Sequence, residues 1–290
     1  MKFKGHESFY IRRGWLYKGL KHVRERKDIF LAKDAMEELG LGNNMVKSLR
    51  YWLQATGLTV EASEGGRRIQ RLTPLGKLIW QHDPYMEEMG TLWLLHLELA
   101  SNQELATSWY EFFNEFSMQE FQKEDFIRFL QGKTEAAESS LGSDFDCLMS
   151  TYIPRNLLKG KVDPESNMEC PMGNLQLIGC TSAKEKIYRR QKIHGRSMPE
   201  CIFMAGLIKE AESREEISLQ EILTGRQDHP GTGRIFQMDL VALLDVLYRL
   251  EKREALKVVR TAGLDVVRLI ESQEPLAWVN RYYQELSGEG

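Results

Sequence analysis

The residues of this chain best suited to chemistry with a polyanion lie between positions 44 and 71. Asn44, Lys47, Tyr51 and Gln54 recur at helical spacing, with Ser48 and Arg50 beside them. Val46, Leu49 and Leu53 form the opposite, apolar stripe. Asn and Gln can pair with adenine edges, Lys and Arg with guanine, and Tyr with phosphate. Further on, Arg67, Arg68 and Arg71 crowd one short segment and suit phosphate contact. The DNA-contact set is therefore Asn44, Lys47, Arg50, Tyr51, Arg67, Arg68 and Arg71. A solvated basic face used for protein packing is the competing reading.

Candidates for catalysis are sparser. His6 and Glu7 are adjacent and could act as acid and base. Asp144-Phe145-Asp146 could present carboxylates to a metal, although Asp144 equally suits a helix start. His194 is a lone histidine, more often structural than catalytic. There is no clustered His pair of the metal-finger nuclease type and no clear Asp…Glu-x-Lys set. Cys147, Cys170, Cys180 and Cys201 contain no Cys-x-x-Cys pair, so free thiols are expected rather than a metal or iron–sulfur site. Asp228-His229-Pro230-Gly231-Thr232-Gly233-Arg234 carries glycines and an arginine but no phosphate-loop pattern.

The elements that must position these groups read as follows. A helix rich in Arg and Lys spans 12–26, and a short helix spans 30–40, stopped by Gly40. A second helix, 44–55, carries the polar stripe. Leu58-Thr59-Val60-Glu61 is strand-like, Glu64-Gly65-Gly66 is a hairpin turn, and 67–72 is the return strand. Two helices and a basic hairpin make a winged helix-turn-helix, which can lay its second helix in a major groove. Thr73 caps a helix that has Pro74 at its first position. Residues 89–100 are apolar nearly all round, as a central buried helix would be, and a helix at 103–116 follows.

A similar order then recurs. A short helix ends at Gly132, a helix covers 140–152, and a hairpin pairs 175–180 with 186–190. Near the end a short helix ends at Gly225, a long helix runs over 239–254, and 256–261 with 264–270 flank an Ala262-Gly263 turn. The expected fold is mainly α with small β-hairpins, winged helix-turn-helix units in series around a helical core. The expected domains are 1–84 (DNA-binding), 85–200 (helical, with a degenerate winged unit) and 201–290 (winged-helix-like). The last long helix exposes Asp239, Asp245 and Glu251, which would repel phosphate, so this unit reads as a packing or oligomerisation module, with a homodimer in view. Its hairpin still carries Lys257, Arg260 and Arg268. Stretches 155–170 and 226–234 are loop-like.

Charge supports this division. The 290 residues carry a net charge of −3, yet residues 1–80 hold 16 Lys+Arg against 8 Asp+Glu. Residues 81–170 hold 6 against 17, and the remainder is balanced. A basic front joined to an acidic middle suits a nucleic-acid binder whose other surfaces meet proteins. The 42% hydrophobic fraction is that of a globular protein. No run of about 18 apolar residues exists to cross a membrane, and no signal-peptide core is present. Together with unpaired cysteines this points to the cytoplasm.

Several stretches together resemble a bacterial family. They are Gly5-His6-Glu7-Ser8-Phe9 with Arg12 and Gly14-Trp15-Leu16, and Leu41-Gly42-Asn43-Asn44-Met45-Val46 with Arg50-Tyr51-Trp52. Gly90-Thr91-Leu92-Trp93-Leu94-Leu95-His96 with Ala100-Ser101-Asn102, and Cys170-Pro171-Met172 with Leu175-Gln176-Leu177-Ile178, complete the set. The chain resembles domain of unknown function family 4007 (DUF4007), whose members are similar to the SspB component of bacterial DNA phosphorothioation systems. That resemblance implies a part in exchanging a backbone oxygen for sulfur in phage defence. It implies double-stranded DNA, a cysteine desulfurase, an ATPase and a PAPS-reductase-like ATP pyrophosphatase as partners. It further implies DNA nicking, for which Mg2+ or Mn2+ would be the metal. The residues themselves support DNA binding and show no convincing nuclease centre. A metal-dependent nickase, a non-catalytic adaptor that recruits a sulfur-transfer enzyme, and a transcriptional repressor are the three readings.

Overall fold

The structure, a computed structural model, describes residues 1–154, 157–158, 171–226, 229–261, 264–270 and 274–288. Cys170, Asp228, the Ala262-Gly263 turn and most of the expected loop at 155–170 lie outside these. The chain forms two compact units, Met1–Arg190 and Gln191–Gly290. It is largely helical, with three small antiparallel sheets among the described residues. No described helix is long and apolar enough to cross a membrane.

In the first unit, α1 (Arg13–Glu25) leads through a single 3-10 turn (Ile29–Leu31) to α2 (Ala35–Leu39) and α3 (Asn43–Ala55). The helix expected over 30–40 is thus broken, with Ala32 extended at φ −71°, ψ 147°. The break has a packing cause. Ile29, Phe30, Ala35 and Leu39 are all buried, and on one continuous helix Phe30 and Leu39 would point in opposite directions. Gly40 closes α2 in the left-handed region at φ 58°, as its sequence position suggested.

β1 (Thr59–Glu64) pairs with β2 (Arg67–Leu72) across Gly65 and Gly66, whose φ values of 58° and 76° are those of a tight primed turn. α4 (Pro74–His82) starts under a Thr73 cap that accepts the Gly76 N–H at 2.9 Å. α5 (Met89–Ser101) is the buried helix its composition announced, with Gly90 to Leu97 all out of solvent. Around it pack α6 (Thr107–Asn114), α7 (Lys123–Gln131) and α8 (Glu138–Tyr152), joined by a cluster of rings that includes Trp93, Phe112, Phe113, Phe126 and Phe145. β3 (Glu120–Phe121) and β4 (Ile178–Ser182) flank β5 (Ile187–Arg190). The buried Arg190 guanidinium donates to the carbonyls of Phe112 and Phe116, fastening this sheet to the end of α6.

The second unit contains α9 (Glu200–Ala211), β6 (Glu216–Ser218), α10 (Leu219–Thr224), α11 (Thr232–Ile235), α12 (Leu240–Lys252), β7 (Leu256–Thr261), β8 (Leu264–Leu269) and α13 (Pro275–Ser287). Ser218 and Asp239 cap α10 and α12 through their side-chain oxygens.

One local order occurs three times among the described residues: helix, link, short helix, long helix, hairpin, with α11 added before the long helix in the third and a long segment before the hairpin in the second. The long helices are α3, α8 and α12. A single backbone bond marks the correspondence. The return strand donates to the residue that leads into the short helix: Gln70 N–H to Lys27 at 2.8 Å, Arg190 N–H to Gln119 at 3.0 Å, Leu269 N–H to Glu215 at 2.8 Å. In the second and third occurrences that link pairs with the hairpin as the strands β3 and β6.

Candidate nucleic-acid interface

α3 is held by Leu49, Trp52 and Leu53, none of which is exposed to solvent. Asn43, Asn44 and Lys47 are exposed, and Arg50 and Gln54 are half-buried. Asn43, Lys47, Arg50 and Gln54 fall at i, i+4, i+7 and i+11, so they line a single ridge. Asn43 belongs to this ridge although the expected set began at Asn44. Glu61 on β1 fixes its far end, accepting from Arg50 and, at 3.1 Å, from Gln54.

Tyr51 does not join the ridge. It is buried, and its ring meets Trp52 at 5.1 Å and the Lys2 ammonium at 5.3 Å. Ser48 is buried as well, donating to the Phe9 carbonyl at 3.4 Å. The cause is the N-terminal segment, which covers one flank of α3. Gly5 is what allows it to lie so close, since a Cβ there would stand 2.6 Å from the Tyr51 ring. Burial, and then the charges of Asp144 and Cys147, push the Tyr51 hydroxyl well above its ordinary pKa. Tyr51 is therefore corrected from a phosphate contact to a packing residue.

The hairpin supplies the second part of the surface. Arg67, Arg68 and Arg71 are exposed on β2. Arg71 pairs with Glu64 at 3.3 Å, and Glu64 also takes Lys27 at 3.2 Å. Hydrogen bonds from those two cations, Lys27 first, lower the Glu64 pKa. Arg67, Arg68 and Lys47 have no ion-pair partner among the described residues. Burial, and then the charge of Arg68, lowers the pKa of Arg50. Arg68 sits opposite Ser63, on the face of the hairpin that carries Glu61, the partner of Arg50. Two helical donors, a half-buried arginine and two unpaired arginines thus share one basic surface.

The acid–base candidates fall elsewhere. Asp144 is buried and fully engaged. It accepts from His6 Nε2 at 2.8 Å, the Lys4 N–H at 2.7 Å and Ser108 Oγ at 2.5 Å. The other nitrogen of His6 accepts the Ser8 N–H at 3.1 Å. This network ties the N-terminal segment to α6 and α8 and leaves His6 no free nitrogen. Glu7 is half-buried, at a left-handed φ of 49°. Asp146 points the other way, into a groove of about 840 Å³ between residues 8–12, α7 and α8, where it pairs with Lys123 at 2.6 Å. Positions i and i+2 on a helix diverge by about 200°, so Asp144 and Asp146 do not converge. Glu138 lines the same groove but sits about 12 Å along the axis from Asp146. Among the described residues no three His, Cys, Asp or Glu side chains are grouped so as to hold a metal ion. Asp144 is taken up by three protein donors and Asp146 by Lys123, so these two carboxylates do not form a shared metal site.

Cys147 and Cys201 are buried and Cys180 is half-buried, all free thiols. Burial is the first cause that raises each pKa, to about 11 for Cys201. His194 is exposed. The glycines of the 228–234 stretch serve packing. A Cβ at Gly231 would stand 2.5 Å from the Ile222 carbonyl, and the Thr232 N–H is taken by Glu210 at 2.8 Å. A carboxylate already occupies the place an anion would need.

No curated protein matches this chain. Two solved structures share its fold. A structure described as "SspB crystal structure" is 27% identical, with TM-score 0.84 over 99% of this chain and 88% of that one. Another, "Magnesium ion-bound SspB crystal structure", is 24% identical, with TM-score 0.79 over 99% and 95%. The model of the family "Protein of unknown function (DUF4007)" matches residues 3–283, and the chain belongs to that family.

Proposed function

We propose that this protein is the double-stranded-DNA-binding component of a bacterial DNA phosphorothioation system. Residues 1–84 act as a winged helix-turn-helix: the α3 ridge enters the major groove and the β1–β2 hairpin lies on the phosphates. The observation that carries this is the set of unpaired cations, Lys47, Arg67 and Arg68, around that ridge. Cations clustered on one surface with no internal partner raise the local attraction for a polyanion. The recurring order supports winged units in series, with 85–200 and 201–290 as the second and third. The likeness to SspB supports the assignment to phosphorothioation. The cysteine desulfurase, the ATPase and the PAPS-reductase-like pyrophosphatase are the partners, with the acidic 81–170 region as their docking side.

Binding of a short duplex, followed by fluorescence anisotropy across a salt series, tests the assignment. Replacing Arg67 and Arg68 by Ala removes two phosphate contacts. Affinity should fall for every sequence, and the slope of log K against log salt should flatten by about 2. Unchanged affinity would refute the assigned face.

A second reading, nicking, is favoured by the magnesium-bound state of the related SspB structure. Incubation with supercoiled plasmid and Mg2+ or Mn2+ separates the two. Open-circle product that survives further purification and is lost in a point mutant makes the protein a nickase. Its absence leaves a DNA-binding adaptor.

A further inference from the structure

The third long helix, α12, presents a face unlike that of α3. Leu240 is 47% exposed, Val241 78% and Tyr248 41%. Leu244 is half-buried between them. Val241, Leu244 and Tyr248 lie at i, i+3 and i+7, which is one stripe of a helix. Ala242, Leu243, Val246, Leu247 and Leu250 already fill the inner face, so the stripe is surplus to the core of its own unit.

The charges at the two ends of the stripe are of opposite sign. At the start, Asp239 uses one carboxylate oxygen to cap the helix, accepting the Ala242 N–H at 2.8 Å, and has no ion-pair partner among the described residues. At the end, Lys252 is exposed and has no ion-pair partner among the described residues. Between them Asp245 and Arg249 form an i,i+4 pair at 3.5 Å. DNA does not fit such a face, because its phosphates would meet apolar side chains and Asp239. An antiparallel copy of the same helix does fit. It places Leu244 against Tyr248 of the second molecule, Val241 along the apolar stem of the second Lys252, and each Lys252 ammonium near the opposite Asp239. Two helix dipoles then also run antiparallel.

We propose that α12 is a self-association surface, through which two copies of this chain form a twofold dimer about a point between Leu244 and Tyr248. Such an interface is isologous, so one stripe with complementary ends serves both copies. The inference stands apart from the DNA-binding reading and uses none of its residues.

Sedimentation equilibrium of the full chain without DNA tests it. The wild type should be dimeric at about 100 μM and dissociate on dilution, as a small interface does. Val241→Glu and Tyr248→Glu should each be monomeric at that concentration, with melting temperatures equal to the wild type's when all are compared at about 1 μM, where the wild type has dissociated. Lys252→Asp should weaken the dimer at least about tenfold at low salt and less at high salt. A chain with cysteine at both Leu244 and Tyr248 should cross-link to a disulfide-bonded dimer under mild oxidation. A monomeric wild type, or glutamate variants that stay dimeric, would overturn the proposal.

Discussion

α3 and α12 occupy the same place in a recurring order, yet their outer faces have nothing in common. Both run for 13 residues. Both are followed by a hairpin whose return strand is pinned by one equivalent backbone bond. α3 turns Asn43, Lys47, Arg50 and Gln54 outward, while α12 turns out Val241, Leu244 and Tyr248. α8, between them in sequence, turns out Glu138 and Asp146. The inner stripe of each helix sets the fold and the outer stripe is free to vary. A shared architecture therefore says little about what each copy binds; on the proposed reading the charge of the outer stripe decides which copy would meet DNA.

The contrast can be broken most severely by uncovering the flank of α3. His6→Ala leaves buried Asp144 without its charged-capable partner and frees the N-terminal segment from α8. Loss of one hydrogen-bond donor to a buried carboxyl oxygen costs about 2 kcal/mol. Denaturant unfolding should show it, and an unchanged midpoint would return His6 to the list of functional groups.

The second unit offers a pH test. Burial raises the Glu210 carboxyl to about 7, against the Thr232 hydrogen bonds that lower it. The unfolded glutamate titrates near 4.5, so between about 4.5 and 7 the native state binds more protons. Stability from this group is fully present below the unfolded pKa and is lost as pH rises through the folded one. Glu210→Gln keeps an acceptor for Thr232 and lacks the titration. Its stability advantage over wild type should grow by about 3 kcal/mol between about pH 4 and pH 8. A pH-independent difference in calorimetry would contradict the buried-carboxylate account.

On the basic side, Lys47→Ala together with Arg67→Ala and Arg68→Ala should cost about 100-fold in duplex affinity at about 100 mM salt. Introducing lysines at Val241 and Tyr248 should not restore it. The finest distinction concerns Tyr51. Tyr51→Phe should leave DNA affinity within about twofold, because the ring is packed beneath Lys2 and Gly5; a phenol that touched phosphate would show a larger loss, of order 1 kcal/mol.

Much of this architecture was legible in the chain. Gly40 and Gly65-Gly66 punctuate the first unit because only glycine enters the left-handed region cheaply. The apolar 89–100 stretch announced its own burial. What was hidden depended on distant partners. β3 and β6 have two and three residues, too few for an alternation to register. Tyr51 looked solvent-facing because helical periodicity knows nothing of the N-terminal segment that folds back across it. Asp144 and Asp146 were different: on a helix, i and i+2 diverge, so periodicity alone separates them. The site was thus readable for its cations, which need only exposure, and unreadable for its buried carboxylate, whose role is set by His6 far away in sequence.

Amide hydrogen exchange of the full chain with and without duplex DNA tests the division most directly. DNA should slow exchange in the first turns of α3, around residues 42–48, and at the hairpin tip, 63–68, while α12 exchanges as before. Protection of α12 with none at α3 and the hairpin would contradict it.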